Sequence, residues 1–565
     1  MGVDRARWLM VPLLVAAALF LPAIGQRTIF ISDEARYALL ARNMVEHGQW
    51  LVPHIDDEVH MEKPPLFMWA IALLSLVTGD VNELTATLPA ALSGIGGVAV
   101  TFMLGRRLFG GLGGLLAALI LATTPGYFWL ARAVLADITV AFFVVGSIWF
   151  FWIAIDTPES ERSAMLACYV CLGLALSAKG PAGLMPLLAF AAFVVWDGGW
   201  RGLRRLRLLT GVAIIALIAS PWAIAFGMQR DTSYLQTVLI DDYAGPHAAR
   251  WQGVGELFFA AGPLGLKFLP WSLFLPAALW HGWRKSDPAA RRKFTLLLCW
   301  TVTYVVVMTI MAHKRERYLL PVYPAIALMV GSLWQDWMSS PDHRLLRAHG
   351  WLWAGSTAVA GVALLLPLPL RTEESILLPP HLAVKILAAA GIVVSGALGL
   401  WATSTGRARA AFSVIAVTMV VTLGYEAWTL VPRYNARYDV RGFAKRVAAH
   451  VGPDDNLLAF ESSRLSYDFY LRRRVDKIGD AHEVADSLAG PRPTYVIADE
   501  RAWRTLDDAG VRLHILEQTQ LAGRTVVLAT SADDRADDTI RSDATPPPPA
   551  RTGFRDRRPH RRRDT

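Results

Sequence analysis

Long apolar runs constrain this chain more than any other feature of its sequence. A helix needs about 20 apolar residues to cross a bilayer, and many of the runs approach that length. Hydrophobic residues make up 54% of the 565 positions. The sequence therefore predicts an all-α polytopic membrane protein rather than a string of soluble domains. We predict thirteen spans, at residues 8–25, 86–105, 112–130, 134–155, 163–178, 181–197, 207–227, 264–284, 294–312, 316–338, 350–369, 383–403 and 410–430.

The charges of the loops test this count, because cytoplasmic loops carry an excess of Lys and Arg. Arg5 and Arg7 open the chain, and basic clusters recur at 201–207, 284–293 and 407–409. With thirteen spans, all of these basic clusters lie on the same side of the membrane. The first loop, the loop at 228–263 and the chain after Val431 fall on the opposite, outer side. The net charge of +9 also reflects an arginine-rich C-terminal end, which we expect to be solvated rather than bound to nucleic acid.

One basic segment breaks this pattern. His313-Lys314-Arg315-Glu316-Arg317 lies on the outer side in the thirteen-span scheme, where the charge rule expects few cations. A wrong span count would explain the exception. A functional demand for cations on the outer face, as an anionic substrate would create, explains it equally well.

Outside the spans, the sequence predicts three further elements. Residues 34–47 and 65–79 are predicted as helices lying at the outer membrane surface, because the second apolar stretch is too short to span. Residues 435–530 alternate helical and strand-like stretches, which predicts a small α/β domain. Residues 531–565 are rich in Asp, Arg and Pro, which indicates a disordered tail.

Five short motifs place charged residues at the predicted outer ends of spans, where ionisable side chains are costly unless they have a function. In chain order they are Asp33-Glu34-x-Arg36-Tyr37, Glu62-Lys63-Pro64-Pro65, Arg132…Asp137, Ala178-Lys179-Gly180-Pro181 and Arg317-Tyr318-Leu319-x-Pro321. This ordered set resembles the GT-C fold glycosyltransferases that use lipid-phosphate sugars. The branch that it matches best contains the aminoarabinose transferases, beside the protein O-mannosyltransferases. The resemblance covers residues 8 to 430.

The resemblance implies an architecture and an activity. Residues 1–434 would form a GT-C transmembrane domain in a bacterial inner membrane, with 28–85 as its first periplasmic loop. The active site and the 435–530 domain would be periplasmic. A monomeric enzyme would move a sugar from undecaprenyl or another polyprenyl phosphate to a glycan, lipid or protein acceptor, with inversion. The best match is transfer of 4-amino-4-deoxy-L-arabinose to lipid A, a lipopolysaccharide modification that would confer resistance to polymyxin-like peptides.

The resemblance also implies roles for individual residues. Asp33 would be the general base that activates the acceptor; a helix N-cap at Ser32 or Asp33 is the structural alternative. The donor phosphate would be bound by Lys63, Arg250 and Tyr318. The substrate cavity would be lined by Glu34, Arg36, Tyr37, Asp137, Lys179 and His247.

No essential cofactor is expected. Glu62 matches a zinc-contacting position of the aminoarabinose branch, and the loop around it is rich in His, Asp and Glu, so a divalent metal such as zinc is a candidate. Ordinary polar loop composition would give the same cluster. A transporter or flippase is the main rival function, although its ionisable residues should gather near mid-bilayer. A non-catalytic scaffold would not need this set of motifs on one face.

Overall fold

The computed structural model describes residues 3–56, 58–60, 63–228, 259–311, 315–366, 381–462 and 464–531. Helices dominate the part up to residue 437, as predicted. In chain order they are α1 (Val3–Phe20), α2 (Ser32–His47), α3 (Leu66–Thr78), α4 (Glu83–Phe109), α5 (Gly111–Ala122), α6 (Pro125–Ala131), α7 (Asp137–Asp156), α8 (Glu161–Lys179), α9 (Pro186–Gly198), α10 (Leu208–Met228), α11 (Ala261–Leu266), α12 (Leu275–Trp283), α13 (Pro288–Ile310), α14 (Tyr323–Ser339), α15 (His343–Leu365), α16 (Leu382–Ser404) and α17 (Ala408–Arg437).

The chain is a multi-pass membrane protein, with fewer clear spans than predicted. Within the described ranges, nine helical segments are long and apolar enough to cross a membrane, or ten if α5 and α6, bent by 67°, form one span. Three of the thirteen predicted spans fall short of this test. The helix α9 has 13 residues. The helix α15 ends at Leu365, and residues 367–369 of its predicted span lie outside the described residues. The prolines at 263, 270 and 276 divide residues 264–284 into short helical pieces.

Two helices of the first loop match the predicted surface helices closely. The prediction of 34–47 corresponds to α2, and that of 65–79 corresponds to α3. Along α2, the side chains of Tyr37, Leu40 and Met44 are buried, and that of Val45 is half-buried. Between the two helices, β1 (His54–Ile55) and β2 (Glu58–Val59) form a short antiparallel hairpin.

Small residues allow the membrane helices to approach one another closely. A Cβ built on Gly105 of α4 would lie 2.9 Å from the Gly114 backbone of α5, and one on Gly331 of α14 would lie 2.8 Å from the backbone of Ala117. Such contacts are typical of helix pairs in bilayers, where packing replaces the hydrophobic effect. The helix α14 is central, because most of its residues are buried. It follows directly on the segment that carries Arg317.

The chain divides into two compact units. The first comprises Met1–Ala448 together with Ser463–Val475 and Gln520–Arg524; the second comprises Ala449–Ser462, Asp476–Thr519 and Thr525–Thr565.

In the C-terminal part of the chain, helices alternate with strands. The helices are α18 (Val440–His450), α19 (Leu465–Leu471), α20 (Ala481–Leu488) and α21 (Glu500–Asp508), and the strands are β3 (Asn456–Phe460), β4 (Asp476–Ile478), β5 (Thr494–Asp499), β6 (Leu513–Leu521) and β7 (Arg524–Ser531). The sheet order is β4-β3-β5-β7-β6. The predicted α/β character is confirmed, and the predicted tail at 531–565 lies outside the described residues except for Ser531.

The α19 segment packs within the first unit although it lies inside the range predicted as the C-terminal domain. Ser466 Oγ donates a hydrogen bond of 2.7 Å to the Phe30 carbonyl, and the Ile29 amide donates one of 2.8 Å to Tyr470 Oη. The Arg42 guanidinium of α2 donates to the Phe469 carbonyl at 2.7 Å. These bonds attach α19 to α2, the helix that carries Asp33, and to the two residues Ile29 and Phe30 before it.

Candidate active site

Asp33 lies in the first turn of α2 but does not cap it. The N-cap is Ile31, whose carbonyl accepts hydrogen bonds of 3.0 Å from the amides of Glu34 and Ala35. The alternative in which Ser32 or Asp33 caps the helix is therefore wrong. A carboxylate in the first turn is still favoured by the helix dipole, and the Asp33 side chain is left to make tertiary contacts.

Those contacts are made with arginines from a distant part of the chain. Arg317 Nη2 donates to Asp33 Oδ2 at 2.6 Å, and Arg315 Nη1 donates to the same oxygen at 2.8 Å. Arg36, one turn along α2, lies 3.6 Å from Asp33 Oδ1. Both distant arginines belong to the basic segment that broke the charge pattern. The exception to the positive-inside rule thus supplies the cations that surround Asp33.

These cations set the protonation state of Asp33. Burial alone would raise the pKa of the carboxyl, but the Arg317 hydrogen bond and the charges of Lys63, Arg317 and Arg315 outweigh burial and lower the pKa to about 2. The carboxylate is therefore ionised throughout the physiological pH range. While the arginines hold it, its affinity for a proton is low.

A second carboxylate, Asp137, shares Arg317 with Asp33. Asp137 Oδ2 lies 3.6 Å from Arg317 Nε, and its other oxygen accepts a hydrogen bond from Lys179 Nζ. Asp137 begins α7 and Lys179 ends α8. Gly180 follows at φ +80°, ψ −154°, a conformation that a side chain would strain. The glycine of the Ala178-Lys179-Gly180-Pro181 motif therefore allows α8 to stop where its last lysine meets Asp137.

Each of the two lysines of the site lies near the ring of a tyrosine. Lys63 Nζ lies 5.7 Å from the centroid of the Tyr37 ring, and Lys179 Nζ lies 4.3 Å from that of Tyr318. Tyr37 is buried and packs edge-to-face against Phe67 of α3, with 5.2 Å between ring centroids. Ring faces attract ammonium groups, so the two tyrosines help to orient both lysines.

The site carries an excess of positive charge. Among the described residues, it contains the five cations Arg36, Lys63, Lys179, Arg315 and Arg317 and the two carboxylates Asp33 and Asp137, and this set has a net charge of +3. In addition, the buried Nε–H of Arg317 has no hydrogen-bond acceptor among the described residues. A pocket with surplus cations and a spare donor suits a phosphate group.

Glu34 is separated from this cluster although it is the neighbour of Asp33. Its side chain is fully buried, pairs with Arg27 and accepts a hydrogen bond of 3.1 Å from the Val134 amide. The Arg27 guanidinium lies 5.3 Å from the centroid of the Tyr434 ring. Glu34 therefore ties α2 to the α6–α7 connection, and the structure does not bring it to Asp33.

Three of the predicted site residues lie outside the described part of the chain. These are Glu62, His247 and Arg250. Among the described residues, no group of three or more His, Cys, Asp or Glu side chains could hold a metal ion. In the first loop, His54 Nδ1 contacts the Val52 carbonyl at 2.8 Å and Asp56 pairs with Arg464 at 2.7 Å. These contacts orient the two side chains.

Two site residues that sequence reasoning did not assign are Arg315 and Arg317. The sequence analysis singled out their segment as a charge exception and quoted Arg317 in the adjoining motif, but it assigned a role only to Tyr318 of that motif. The available signal was the combination of two observations: cations on the outer side and an adjacent motif that already contained a candidate phosphate ligand. Sequence spacing alone could not show that these two arginines pair with Asp33.

Comparison with known proteins finds glycosyltransferases similar to this chain. The dolichyl-phosphate-mannose-protein mannosyltransferase family matches residues 62–224, and the Alg9-like mannosyltransferase family matches residues 256–371. The chain is 28% identical over 384 residues to the undecaprenyl phosphate-alpha-4-amino-4-deoxy-L-arabinose arabinosyl transferase 1 of Pseudomonas fluorescens (strain Pf0-1), covering 66% of this chain and 65% of that protein. A protein of the same name from P. fluorescens strain ATCC BAA-477 / NRRL B-23932 / Pf-5 is 29% identical over 420 residues, covering 69% and 71%. The chain thus spans just under two thirds of the length of the first relative.

Solved structures show the same fold. The crystal structure of ArnT from Cupriavidus metallidurans bound to undecaprenyl phosphate superposes with a TM-score of 0.75 at 20% identity, covering 92% of this chain and 98% of ArnT. The archaeal oligosaccharyltransferase AglB from Archaeoglobus fulgidus gives a TM-score of 0.52 at 12% identity, covering 88% and 69%. The predicted resemblance to the GT-C fold is confirmed.

Proposed function

We propose that this chain, which has the GT-C fold, is an inverting glycosyltransferase that takes a sugar from a polyprenyl phosphate. The observation that carries the proposal is the group of five cations around Asp33 and Asp137. A polyprenyl phosphate sugar has a single phosphate, so it needs local positive charge and no nucleotide pocket. The surplus of three charges at this site matches that requirement.

The cations of the site would act on the leaving group. As the bond between sugar and phosphate breaks, negative charge develops on the phosphate oxygens, and fixed cations stabilise it. We assign this role to Lys63 and Arg317, with a hydrogen bond from Tyr318. Arg250 and His247, which lie outside the described residues, are proposed to complete the phosphate site and the cavity.

Asp33 would act on the acceptor. Its carboxylate would accept the proton of the attacking acceptor oxygen, which displaces the lipid phosphate from the opposite face of the sugar and inverts the anomeric configuration. In the structure Asp33 is held by Arg315 and Arg317. A donor phosphate that binds these arginines would leave Asp33 less neutralised and raise its proton affinity, so donor binding would prepare the base.

The relatives suggest the substrates. Two are named as transferases of 4-amino-4-deoxy-L-arabinose from undecaprenyl phosphate, and the structural neighbour ArnT holds undecaprenyl phosphate. We propose the same donor here, with lipid A as acceptor, a monomeric enzyme in the bacterial inner membrane, and the site and the C-terminal unit on the periplasmic side. A zinc ion near Glu62 is part of this proposal only as an accessory, and no step of the reaction uses it.

Lipid analysis of cells tests the proposal. Lipid A and the polyprenyl phosphate pool are compared by mass between wild type, Asp33→Asn and the control Asp507→Asn, which changes an exposed carboxylate of α21. The Asp33 variant should lose the amine-bearing pentose on lipid A and accumulate the charged carrier, and the control should match wild type.

Other outcomes separate the rival functions. If the Asp33 variant accumulates the charged carrier while its lipid A is unchanged, the transferase function stands and the acceptor is a molecule other than lipid A. No change in either pool would contradict the transferase and favour a transporter or scaffold.

A further inference from the structure

A groove between α9, α12 and α13 has no part in the proposed reaction at Asp33. Its volume is about 410 Å³. One face of α13 forms its longest wall, because Arg291, Thr295, Leu298 and Val302 line the groove and follow the i, i+4, i+7, i+11 spacing of a single helix face. The groove therefore runs along the axis of α13.

One end of this groove lies far from Asp33. Arg317, which contacts Asp33, follows shortly after the end of α13 at Ile310. Arg291 lies nineteen residues before Ile310, which corresponds to about 28 Å along the helix axis and is close to the hydrocarbon thickness of about 30 Å. The Arg291 end thus lies at the membrane surface opposite to Asp33. From there to Val302 the groove extends about 16 Å, the hydrocarbon depth of one leaflet.

Two exposed indoles flank the groove at this end. Trp196 lies near the end of α9 and Trp283 ends α12, and their side chains are 69% and 65% exposed. A Cβ built on Gly282 would lie 2.1 Å from the ring of Phe294, so α12 packs directly on α13 and Trp283 stays beside the groove. Indole rings favour the boundary between hydrocarbon and headgroups. The position of both tryptophans is therefore that of a lipid headgroup region.

Positive charge is concentrated at the same end. Residues 284–293 contain five cations and one carboxylate, Asp287, which is the N-cap of α13 and accepts hydrogen bonds of 3.2 Å and 2.9 Å from two amides of the first turn. Lys285 and Arg292 each pair with a carboxylate of another helix, at 2.9 Å and 2.6 Å. Within the part of the chain that the structure describes, the remaining three cations make no ion pair; they are Arg284, Arg291 and Lys293.

Arg291 is oriented by the backbone and keeps donors for a ligand. Its Nε donates a hydrogen bond of 3.2 Å to the Lys285 carbonyl, and its side chain is exposed. Arg292, the next residue, instead donates two hydrogen bonds, of 2.6 Å and 2.9 Å, to Asp197. None of the described residues accepts a hydrogen bond from the two Nη groups of Arg291. A guanidinium with a free fork suits the two unesterified oxygens of a phosphodiester.

We propose that this groove binds an anionic glycerophospholipid from the leaflet opposite to Asp33. One acyl chain lies along α13 toward Val302, the phosphodiester contacts Arg291, and the indoles of Trp196 and Trp283 pack against the glycerol region. Basic pockets between membrane helices are known to bind such headgroups. The bound lipid contacts three helices and stabilises their packing. The inference does not depend on the proposed transferase function, because no sugar donor or acceptor takes part.

Native mass spectrometry of the purified full-length protein tests the headgroup contact. The protein is titrated with phosphatidylglycerol and with phosphatidylcholine of the same acyl chains. Wild type should bind one phosphatidylglycerol about tenfold more tightly than phosphatidylcholine, the difference expected for one hydrogen bond between charged groups. Arg291→Gln should abolish this preference, and Arg291→Lys should keep part of it. The matched control Arg347→Gln changes an exposed arginine of α15 and should keep the wild-type preference.

A second pair of variants tests the position of the acyl chain. Ala192→Trp fills the groove from α9 and should weaken binding of both lipids, whereas Ala360→Trp, at an exposed alanine of α15, should not. Thermal unfolding of the lipid-free variants should match wild type, so that the differences report lipid binding. Equal affinity of wild type for the two lipids would overturn the proposal. So would full retention of the phosphatidylglycerol preference in Arg291→Gln, or undiminished binding in Ala192→Trp.

Discussion

Arg317 donates a hydrogen bond of 2.6 Å to Asp33, a residue 284 positions earlier in the chain. The same guanidinium lies 3.6 Å from Asp137. One arginine therefore contacts both carboxylates of the site, and we assign the same arginine to the donor phosphate. The donor phosphate and the proposed base compete for Arg317, which links binding of the donor to the proton affinity of Asp33.

Replacing Arg317 should impair the chemical step more than folding. Arg317→Ala removes charge from the leaving phosphate, and we expect kcat/KM for the donor to fall by about 10²–10³-fold. Arg317→Lys keeps the charge but loses the forked geometry, so recovery should be partial. Arg315→Ala is the matched control, because that side chain is 57% exposed and should have a smaller effect. Wild-type donor kinetics in Arg317→Ala would remove this residue from the phosphate site.

The pH dependence of the reaction should report the low pKa of Asp33. Because the folded-state pKa of about 2 lies below the ordinary value of Asp, the ion pair stabilises the protein above about pH 4 and is lost as pH falls toward 2. For wild type, kcat/KM should therefore show no acid limb from Asp33 between pH 4 and 8. In Arg317→Ala the pKa of Asp33 should rise, and the fall in kcat/KM should move to higher pH. Superimposable profiles would contradict control of Asp33 by Arg317.

The pair between Lys179 and Asp137 should behave as a buried ion pair. Lys179→Met leaves Asp137 buried with fewer partners, which costs about 3–5 kcal/mol of the free energy of unfolding. The double variant Lys179→Met/Asp137→Asn removes both charges and should regain much of that stability. Thermal unfolding of the detergent-solubilised protein measures both. Equal losses in the single and double variants would show that the pair does not couple.

Glu34 should be a structural residue despite its place beside Asp33. Glu34→Gln removes the charge that faces Arg27 in a fully buried site, so we expect a loss of about 3 kcal/mol of stability. The folded fraction should keep its donor KM and its pH profile. Arg27→Met combined with Glu34→Gln should be less destabilising than the single change. A selective loss of kcat at unchanged stability would instead assign Glu34 a catalytic role.

Much of the site could be predicted from the sequence. The motif set pointed to Asp33, Lys63, Asp137, Lys179 and Tyr318, and the structure brings these residues together around Arg317. Sequence reasoning also grouped Glu34 with Asp33, yet the two side chains contact different parts of the chain. Adjacent helix positions differ by 100° around the axis, so a shared motif does not place both in one cavity.

The sequence by itself determined that the chain crosses the membrane many times and which fold it resembles. These properties are local, because they depend on the length of apolar runs, on the bias of loop charges and on short motifs. Only the tertiary structure decided that Arg315 and Arg317 meet Asp33 and that α19 packs against α2. Those contacts join segments hundreds of residues apart. Helix packing brings the segments together, and the sequence pattern of either segment does not indicate which other segment it contacts.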